Sequence, residues 1–277
     1  MLNLNRLLTS IEDQKKRYRV LLNRSHYRSD LERILWRRSA GLLNMEQKSL
    51  NSAAYGVFVK DKQGVLEAFE SVRQNIYTAP LHTETIMAWN AKMLRRTAPE
   101  IAGQFRSTRA HWLRSTMIFA NWEKVPVLMD ELVDGINKHH VAAFYWQERP
   151  DKQFQNVSHH PIINAIEANY NFISIHPFQD GNKRTARLVT SWFLGQKGYI
   201  PLCIYERQGY ISSIESYAYT HRPHAFYGFL FDQMRQSYDD AINEAKSMEK
   251  VMVSIRRQNV KPMSSTLFQR HMQQKMK

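Results

Sequence analysis

Residues 175–187 read IHPFQDGNKRTAR and contain the densest group of reactive side chains in the sequence. Isoleucines recur at helical spacing before this stretch, and apolar residues do so after it. The pattern predicts two buried helices, at residues 160–175 and 182–196, joined by a short polar loop. A protein built around such a pair belongs to the mainly α class.

The predicted loop has the composition of a site for a phosphate-bearing ligand. Free backbone N–H groups and the positive end of a helix dipole attract an anion, and Gly181 lets the backbone approach it closely. Asp180 suits a magnesium ion that bridges phosphate oxygens. Arg184 and Arg187 lie on one helix face, where both could hold terminal phosphates. His176 has the pKa range of a general base near neutral pH.

Each of these residues alone also has an ordinary structural explanation. A histidine before a proline can cap a helix, Asp180 can be an N-cap, and the two arginines can form a solvated helix face. Their concentration in one short loop favours a functional site.

The 277-residue chain has a globular composition, with 43% hydrophobic and 23% charged residues. Its 39 lysines and arginines exceed its 25 acidic residues, which gives a net charge of +14. That charge attracts an anionic partner: nucleic acid, an acidic membrane surface, a nucleotide or an acidic protein. No nucleic-acid-binding module is recognisable, which argues against nucleic acid.

The sequence also indicates a compartment. Cys203 is the single cysteine, which excludes an intramolecular disulfide and favours a reducing environment. No apolar run reaches membrane-spanning length, and the N-terminus lacks an apolar signal core. These features predict a cytoplasmic protein without a membrane span, and they leave open its delivery to another cell.

Glycine and proline are sparse, at 10 and 9 residues, and apolar residues recur mostly at helical spacing. Helices are predicted at residues 31–43, 64–76, 83–96, 125–145, 160–175, 182–196, 210–219 and 225–249. Residues 104–118, in which β-branched and aromatic residues alternate with polar ones, predict a short β-hairpin. The basic tail after residue 250 is expected to be loosely held or to be an interaction arm.

The sequence HPFQDGNKRTAR, at residues 176–187, resembles the motif of the Fic family, usually written HPFx(D/E)GN(G/K)RxxR. GQFR at residues 103–106 resembles the GxxR element that precedes the family's substrate-clamping hairpin. Residues 159–178 resemble the helix that leads into the active loop. The resemblance implies a Fic fold, a mainly α helical bundle with a short β-hairpin flap beside the active loop.

This resemblance suggests a division of the chain into three regions. Residues 1–82 would form an N-terminal helical region, residues 83–233 the Fic core domain, and residues 234–277 a C-terminal helix with a basic tail. A homodimer is left open.

The resemblance also implies an activity: transfer of AMP from ATP, with Mg²⁺, to a serine, threonine or tyrosine hydroxyl of a target protein. His176 would deprotonate that hydroxyl, and Asp180 would hold the magnesium ion. Both roles agree with phosphoryl-transfer chemistry, which asks a protein mainly to position groups and neutralise charge.

The remaining motif residues would bind the nucleotide. Gly181 and Asn182 would cradle a phosphate, Arg184 would contact phosphate oxygens, and Arg187 would hold the γ-phosphate. Tyr210 aligns with a family tyrosine near the adenine, although packing of its ring into the core is an equal alternative.

The flap would hold the target protein by strand addition. Without the resemblance, an ordinary structural hairpin would be the better interpretation of the same residues. The residues assigned to the flap are Arg106, Ser107, Thr108, Arg109, Ala110, His111 and Trp112.

Lys183 departs from the pattern of most AMP-transferring members, which have glycine there. Lysine resembles the Doc branch, which transfers a phosphate to a protein hydroxyl. Arg187 argues against that branch, because the Doc pattern lacks it. AMP transfer is therefore preferred, and the alternatives are a Doc-like phosphotransferase or a catalytically silent, nucleotide-gated binding module.

Many Fic proteins carry an inhibitory helix with the pattern (S/T)xxxE(G/N). Its best counterpart here is NSAAYG, in which Asn51 takes the serine position, Tyr55 the glutamate position, and Gly56 follows. This inhibitory motif is predicted to be degenerate or absent, unless another helix is its true counterpart.

Overall fold

A computed structural model describes residues 3–24, 28–45, 61–77, 80–111, 117–141 and 159–257 of the chain. Nearly all of the regular structure in these residues is α-helical, which confirms the predicted fold class. The helices are α1 (Leu4–Arg24), α2 (Arg28–Met45), α3 (Lys62–Asn75), α4 (Thr83–Leu94), α5 (Val125–Asn137), α6 (Pro161–Ile175), α7 (Asn182–Gln196), α8 (Arg207–Thr220) and α9 (His224–Arg257).

The centre of the fold is the helix pair α6 and α7, the pair predicted from the sequence. Every residue of α6 after Pro161 is buried, and so is nearly every residue of α7. Helices buried on all sides require neighbours on all sides. α5 packs against α6, whereas α3 and α4 pack against α7.

An outer layer completes the core. α1 packs along α9, and α2 packs on both α3 and α9. The Lys15 ammonium of α1 lies 3.3 Å from the centre of the Tyr199 ring. The Tyr199 hydroxyl donates a hydrogen bond to Glu12, so this contact fixes α1 to the segment after α7.

Some helix bounds differ from the predicted ones. α5 ends at Asn137, and His139 then adopts a left-handed backbone conformation with φ +53°. That conformation stops a helix, so the predicted extent to residue 145 was too long. The last helix is also longer than predicted, because α9 continues to Arg257 instead of ending at residue 249. The predicted region boundary at residue 233 falls inside this helix, and the three-region division stays a prediction.

The predicted hairpin does not emerge in the described part of residues 104–118, and residues 112–116 lie outside the described residues. The pairing found there is a single antiparallel bridge between Phe105 and Phe178. It joins the start of this segment to the loop after α6. Among the described helices none is long and apolar enough to cross a membrane.

Candidate active site

The loop between α6 and α7 begins with a strained residue. His176 ends α6 in the left-handed conformation, with φ +52° and ψ +58°, and its N–H donates to the Phe172 carbonyl over 3.0 Å. Residues with a Cβ rarely adopt this conformation, because Cβ crowds the following carbonyl group. The turn directs the chain from the end of α6 towards the N-terminus of α7.

Asn182 closes the loop. Its Oδ1 accepts a hydrogen bond from the Phe178 N–H over 2.9 Å, and its Nδ2 donates to the Phe178 carbonyl over 2.6 Å. The Phe178 ring is fully buried, with the Phe105 ring 5.7 Å away. The Asn182 amide therefore holds the loop backbone, whereas the sequence analysis assigned it to a phosphate.

α4 contributes a residue that the sequence analysis missed. Asn90 is fully buried; its Nδ2 donates to the Asp180 carbonyl over 3.1 Å and to the Thr185 hydroxyl over 3.3 Å. Its Oδ1 accepts from the Gly103 N–H over 3.0 Å. A polar residue at a core position of an amphipathic helix was the signal that could have revealed it.

The backbone conformation and the close packing at position 181 require a glycine. Its φ is +82°, and a Cβ there would lie 2.8 Å from Nδ2 of Asn90. Only glycine adopts this conformation without strain and leaves room for the asparagine. Glycine at this position therefore allows the loop to pack closely against Asn90 of α4.

Asp180 and Arg184 form an ion pair, with 3.1 Å between Oδ2 and Nη2. The other oxygen of Asp180, Oδ1, accepts from the Gly181 N–H over 2.5 Å. The Asp180 side chain is 38% exposed and that of Arg184 is 8% exposed. The carboxylate therefore remains accessible, while the guanidinium lies beneath the surface.

Asp180 has the chemistry of a magnesium ligand that works together with a nucleotide. Mg²⁺ usually takes one or two carboxylates, with phosphate oxygens and waters in its other positions. Within the described ranges, no group of three or more histidine, cysteine or acidic side chains could hold a metal ion.

The His176 imidazole is buried, and its ring centre lies 4.1 Å from that of Phe119. Burial lowers its pKa to about 3, and the positive charges of Lys183 and Arg106 act in the same direction. A hydrogen bond with the Ile173 backbone opposes part of this shift. The imidazole is therefore neutral at physiological pH, which is the form that accepts a proton.

Arg187 lies deeper than the sequence analysis expected. Its side chain is 1% exposed, and its Nε donates to the Lys183 carbonyl over 3.2 Å. Its guanidinium lies 5.7 Å from the centre of the Tyr210 ring. Tyr210 is itself fully buried, and its hydroxyl donates to Oδ1 of Asn169 over 2.6 Å. The geometry matches the core-packing alternative for this tyrosine.

The residues assigned to the flap divide into two kinds. Arg106 is buried and donates hydrogen bonds to backbone carbonyls, so its side chain is not presented to a target. Ala110 is half-buried. The exposed members are Ser107, Thr108, Arg109 and His111. Trp112 lies outside the described residues, as do Asn51, Tyr55 and Gly56 of the predicted inhibitory motif.

A family comparison agrees with this arrangement. The Fic/DOC family model matches residues 80–194, which contain α4 to α6, the loop and nearly all of α7. The match covers less than half of the chain and includes the HPFQDGNKRTAR motif, so it confirms the predicted resemblance to the Fic family in that region.

Fic relatives are also found among curated proteins. The protein adenylyltransferase Fic of Nematostella vectensis is 29% identical over 143 residues, or 51% of this chain and 30% of the relative. The corresponding protein of Drosophila mojavensis is 44% identical over 54 residues, or 20% of this chain and 11% of the relative. The chain thus spans about a third or less of the length of these two relatives.

Solved Fic structures share the fold. A Fic domain-containing signaling protein from Bacteroides thetaiotaomicron aligns with a TM-score of 0.64 at 20% identity, over 86% of this chain and 98% of that one. Fic-1 from C. elegans aligns with a TM-score of 0.61 at 18% identity, over 88% and 73% of the two chains. The Fic fold therefore extends over most of the chain, beyond the residues that the family model matches.

Proposed function

We propose that this protein transfers AMP from ATP to a hydroxyl group of a target protein. The observation that carries the proposal is the neutral, buried imidazole of His176, held at the start of a loop that ends at the N-terminus of α7. A proton acceptor thus stands beside a backbone suited to an anion. Two further findings support it: the Fic relatives are named protein adenylyltransferases, and IbpAFic2 has been solved covalently tethered to Cdc42, a protein.

In the proposed reaction, the target hydroxyl attacks the α-phosphorus of ATP and gives its proton to His176. The bond between the α-phosphorus and the bridging oxygen breaks, and pyrophosphate leaves. A pKa of about 3 makes the free imidazole a weak base. The negative charges of a bound triphosphate would raise that pKa towards the useful range, because a nearby anion stabilises the imidazolium.

The loop residues would bind the phosphate chain. The N–H groups at the start of α7 attract an anion, and Arg184 would turn from Asp180 towards phosphate oxygens. Asp180 would then be free to hold Mg²⁺, which neutralises charge on the phosphates when it is bound. Arg187 would reach the γ-phosphate only if the chain around it rearranges, because its guanidinium is buried.

Lys183 supports a second candidate, the transfer of a phosphate. Its ammonium is near enough to His176 to lower the pKa of the imidazole. A phosphate bound by Lys183 would therefore lie beside the base, and a γ-phosphate in that place would be the group transferred. AMP transfer stays the preferred function, because Arg187 matches the arginine that would hold the γ-phosphate away from His176.

The test is to incubate the protein with Mg²⁺, a cell lysate and ATP labelled at either the α- or the γ-phosphorus. AMP transfer labels a protein only from the α-position, and phosphate transfer labels it only from the γ-position. His176→Ala should lower labelling by about two to four orders of magnitude, because it removes the base. His82→Ala, at an exposed histidine directly before α4, is the matched control and should label like the wild type.

Two outcomes would contradict the proposal. Labelling from the γ-position that His176→Ala removes would establish the phosphotransferase, and Lys183→Gly should then abolish it. Tight ATP binding by a wild type that adds no labelling to that seen with His176→Ala, from either position, would indicate a silent, nucleotide-gated binding module.

A further inference from the structure

In the described part of the chain, four hydrogen bonds join the Arg106 side chain to backbone carbonyl groups. Its Nε donates to His176 over 2.6 Å and its Nη1 to Thr108 over 2.7 Å. Its Nη2 donates to Ala120 over 2.5 Å and to Ile175 over 3.2 Å. One planar guanidinium therefore holds backbone from two separate parts of the chain.

These carbonyls belong to the catalytic loop and to the segment of residues 107–119, which we call the flap segment. Ile175 and His176 are where α6 turns into the loop. Thr108 lies near the start of the flap segment, and Ala120 directly follows its end. Arg106 thus ties both ends of the flap segment to the residue that carries the proposed base.

Backbone hydrogen bonds reinforce the same junction. The Arg106 N–H donates to the Pro177 carbonyl over 2.9 Å, and the Ala120 N–H donates to the Ser174 carbonyl over 3.2 Å. Without the guanidinium, these two bonds would still hold the flap segment near the loop, but the carbonyls of Ile175 and His176 would lose the hydrogen bonds from Arg106.

The burial of a cation is favourable here for a specific reason. The carbonyls at the C-terminus of α6 carry the negative end of the helix dipole, and a cation is stabilised there. Arginine fits this position better than lysine, because its planar guanidinium holds several N–H donors in fixed directions and reaches several acceptors at once. A lysine would keep the charge but could not reproduce that geometry.

We propose that Arg106 is a positioning residue that fixes the His176 imidazole and the ends of the flap segment relative to each other. The inference rests on the proposed function, in which the flap segment holds the target and His176 takes the proton. Arg106 would then set the distance between the target hydroxyl and the base without contacting either. This role replaces the direct target contact that the sequence analysis assigned to it.

The kinetic test compares Arg106→Lys with the wild type, using a target protein identified by the labelling assay. At a temperature where both are folded, Arg106→Lys should lower kcat about 10- to 100-fold, as expected for reacting groups displaced by about 1 Å. Affinity for ATP should change less than about threefold, because the N-terminus of α7 is untouched. Arg106→Gln, which also removes the charge, should lose at least as much activity.

The matched control is Arg96→Gln. Arg96 is a half-exposed arginine whose ion pairs go to Asp61 and Glu67, and the variant should keep the wild-type kcat. Wild-type kcat in Arg106→Lys would overturn the inference. Equal losses of kcat and ATP affinity would overturn it too, because Arg106 would then support the site only as part of the general fold.

A second measurement does not depend on transfer. In protein labelled with ¹³C at histidine, His176→Ala identifies the His176 ring signal, and the wild type should show a through-space contact with the Phe119 ring. Arg106→Lys should shift that signal and weaken the contact, whereas Arg96→Gln should change neither. An unchanged His176 signal in Arg106→Lys would refute the positioning role. If the wild type transfers nothing, this spectrum still decides the inference, and only the proposed function fails.

Discussion

At the scale of single residues, His176 combines two properties that oppose stability. Its backbone is left-handed, and its ring is held uncharged in an environment that disfavours the imidazolium. Such local costs concentrate at functional sites, where the surrounding structure enforces them. The hydrogen bonds of Arg106 and Asn182 provide that enforcement here.

The pKa of His176 predicts how stability depends on pH. Its folded pKa is about 3, below the ordinary value of 6.5. Between these values the unfolded chain binds a proton that the folded protein does not, so acid favours unfolding through this window. The free energy of unfolding should fall by up to about 1.4 kcal/mol per pH unit from this one group as pH decreases below 6.5.

The measurement is urea unfolding of the wild type and of His176→Asn at several pH values between 7 and 5. Asparagine tolerates the left-handed conformation, so the variant keeps the turn and loses only the titrating ring. The wild type should lose stability more steeply than the variant as the pH falls. Parallel curves would show that the imidazole titrates normally in the folded protein.

At the scale of elements, the sequence predicts the features of secondary structure that depend on local residue pattern. The bounds of α7 were predicted as observed, because apolar spacing and the polar loop before Asn182 mark its start. The predicted hairpin rests on β-branched and aromatic residues and lies partly outside the described residues, but local pattern gave no sign that Phe105 pairs with Phe178. That pairing joins residues far apart in the sequence, which no local propensity reports.

The site residues could likewise be predicted from local pattern, but their long-range contacts could not. The motif identified His176, Asp180 and Arg184 as neighbours, but not the use of the Asn182 amide by Phe178. The contacts of Asn90 join three segments, and such tertiary hydrogen bonds depend on how helices pack and not on the pattern within one helix.

Asn90 therefore allows a prediction about α4. Asn90→Leu keeps the branched shape of the side chain but removes the partners of the Gly103 N–H and the Asp180 carbonyl. A buried group left without a partner costs about 1–3 kcal/mol, and the residues Gly103 and Asp180 are half-buried, so we expect a loss of about 2 kcal/mol in the free energy of unfolding. Urea unfolding measures it, with Asn243→Leu at an exposed position of α9 as control. Equal midpoints for the two variants would contradict the bracing role of Asn90.

At the scale of the whole molecule, the residues that match the family model do not enclose a complete core. α3 packs against α7, and Trp192 of α7 donates a hydrogen bond to the Asn75 carbonyl at the end of α3 over 3.0 Å. Trp36 of α2 stacks edge-on with Phe69 of α3, with 5.9 Å between the ring centres. The buried residues of α1, α2 and α3 belong to the same apolar core as those of α6 and α7.

This shared core predicts that a fragment of residues 80–277 will not fold cooperatively. The fragment lacks α1–α3, so the faces of α7 and α9 that those helices cover would be exposed to water. Burial of apolar surface is the main driving force for folding, and the fragment would lose part of it. The fragment and the full chain should be compared by urea unfolding, with near- and far-ultraviolet circular dichroism as probes. We expect one sharp transition for the full chain, but helical signal without fixed aromatic packing and a broad transition for the fragment. A sharp transition in the fragment, the same by both probes, would mean that the family domain folds by itself and that α1–α3 are an attachment to it.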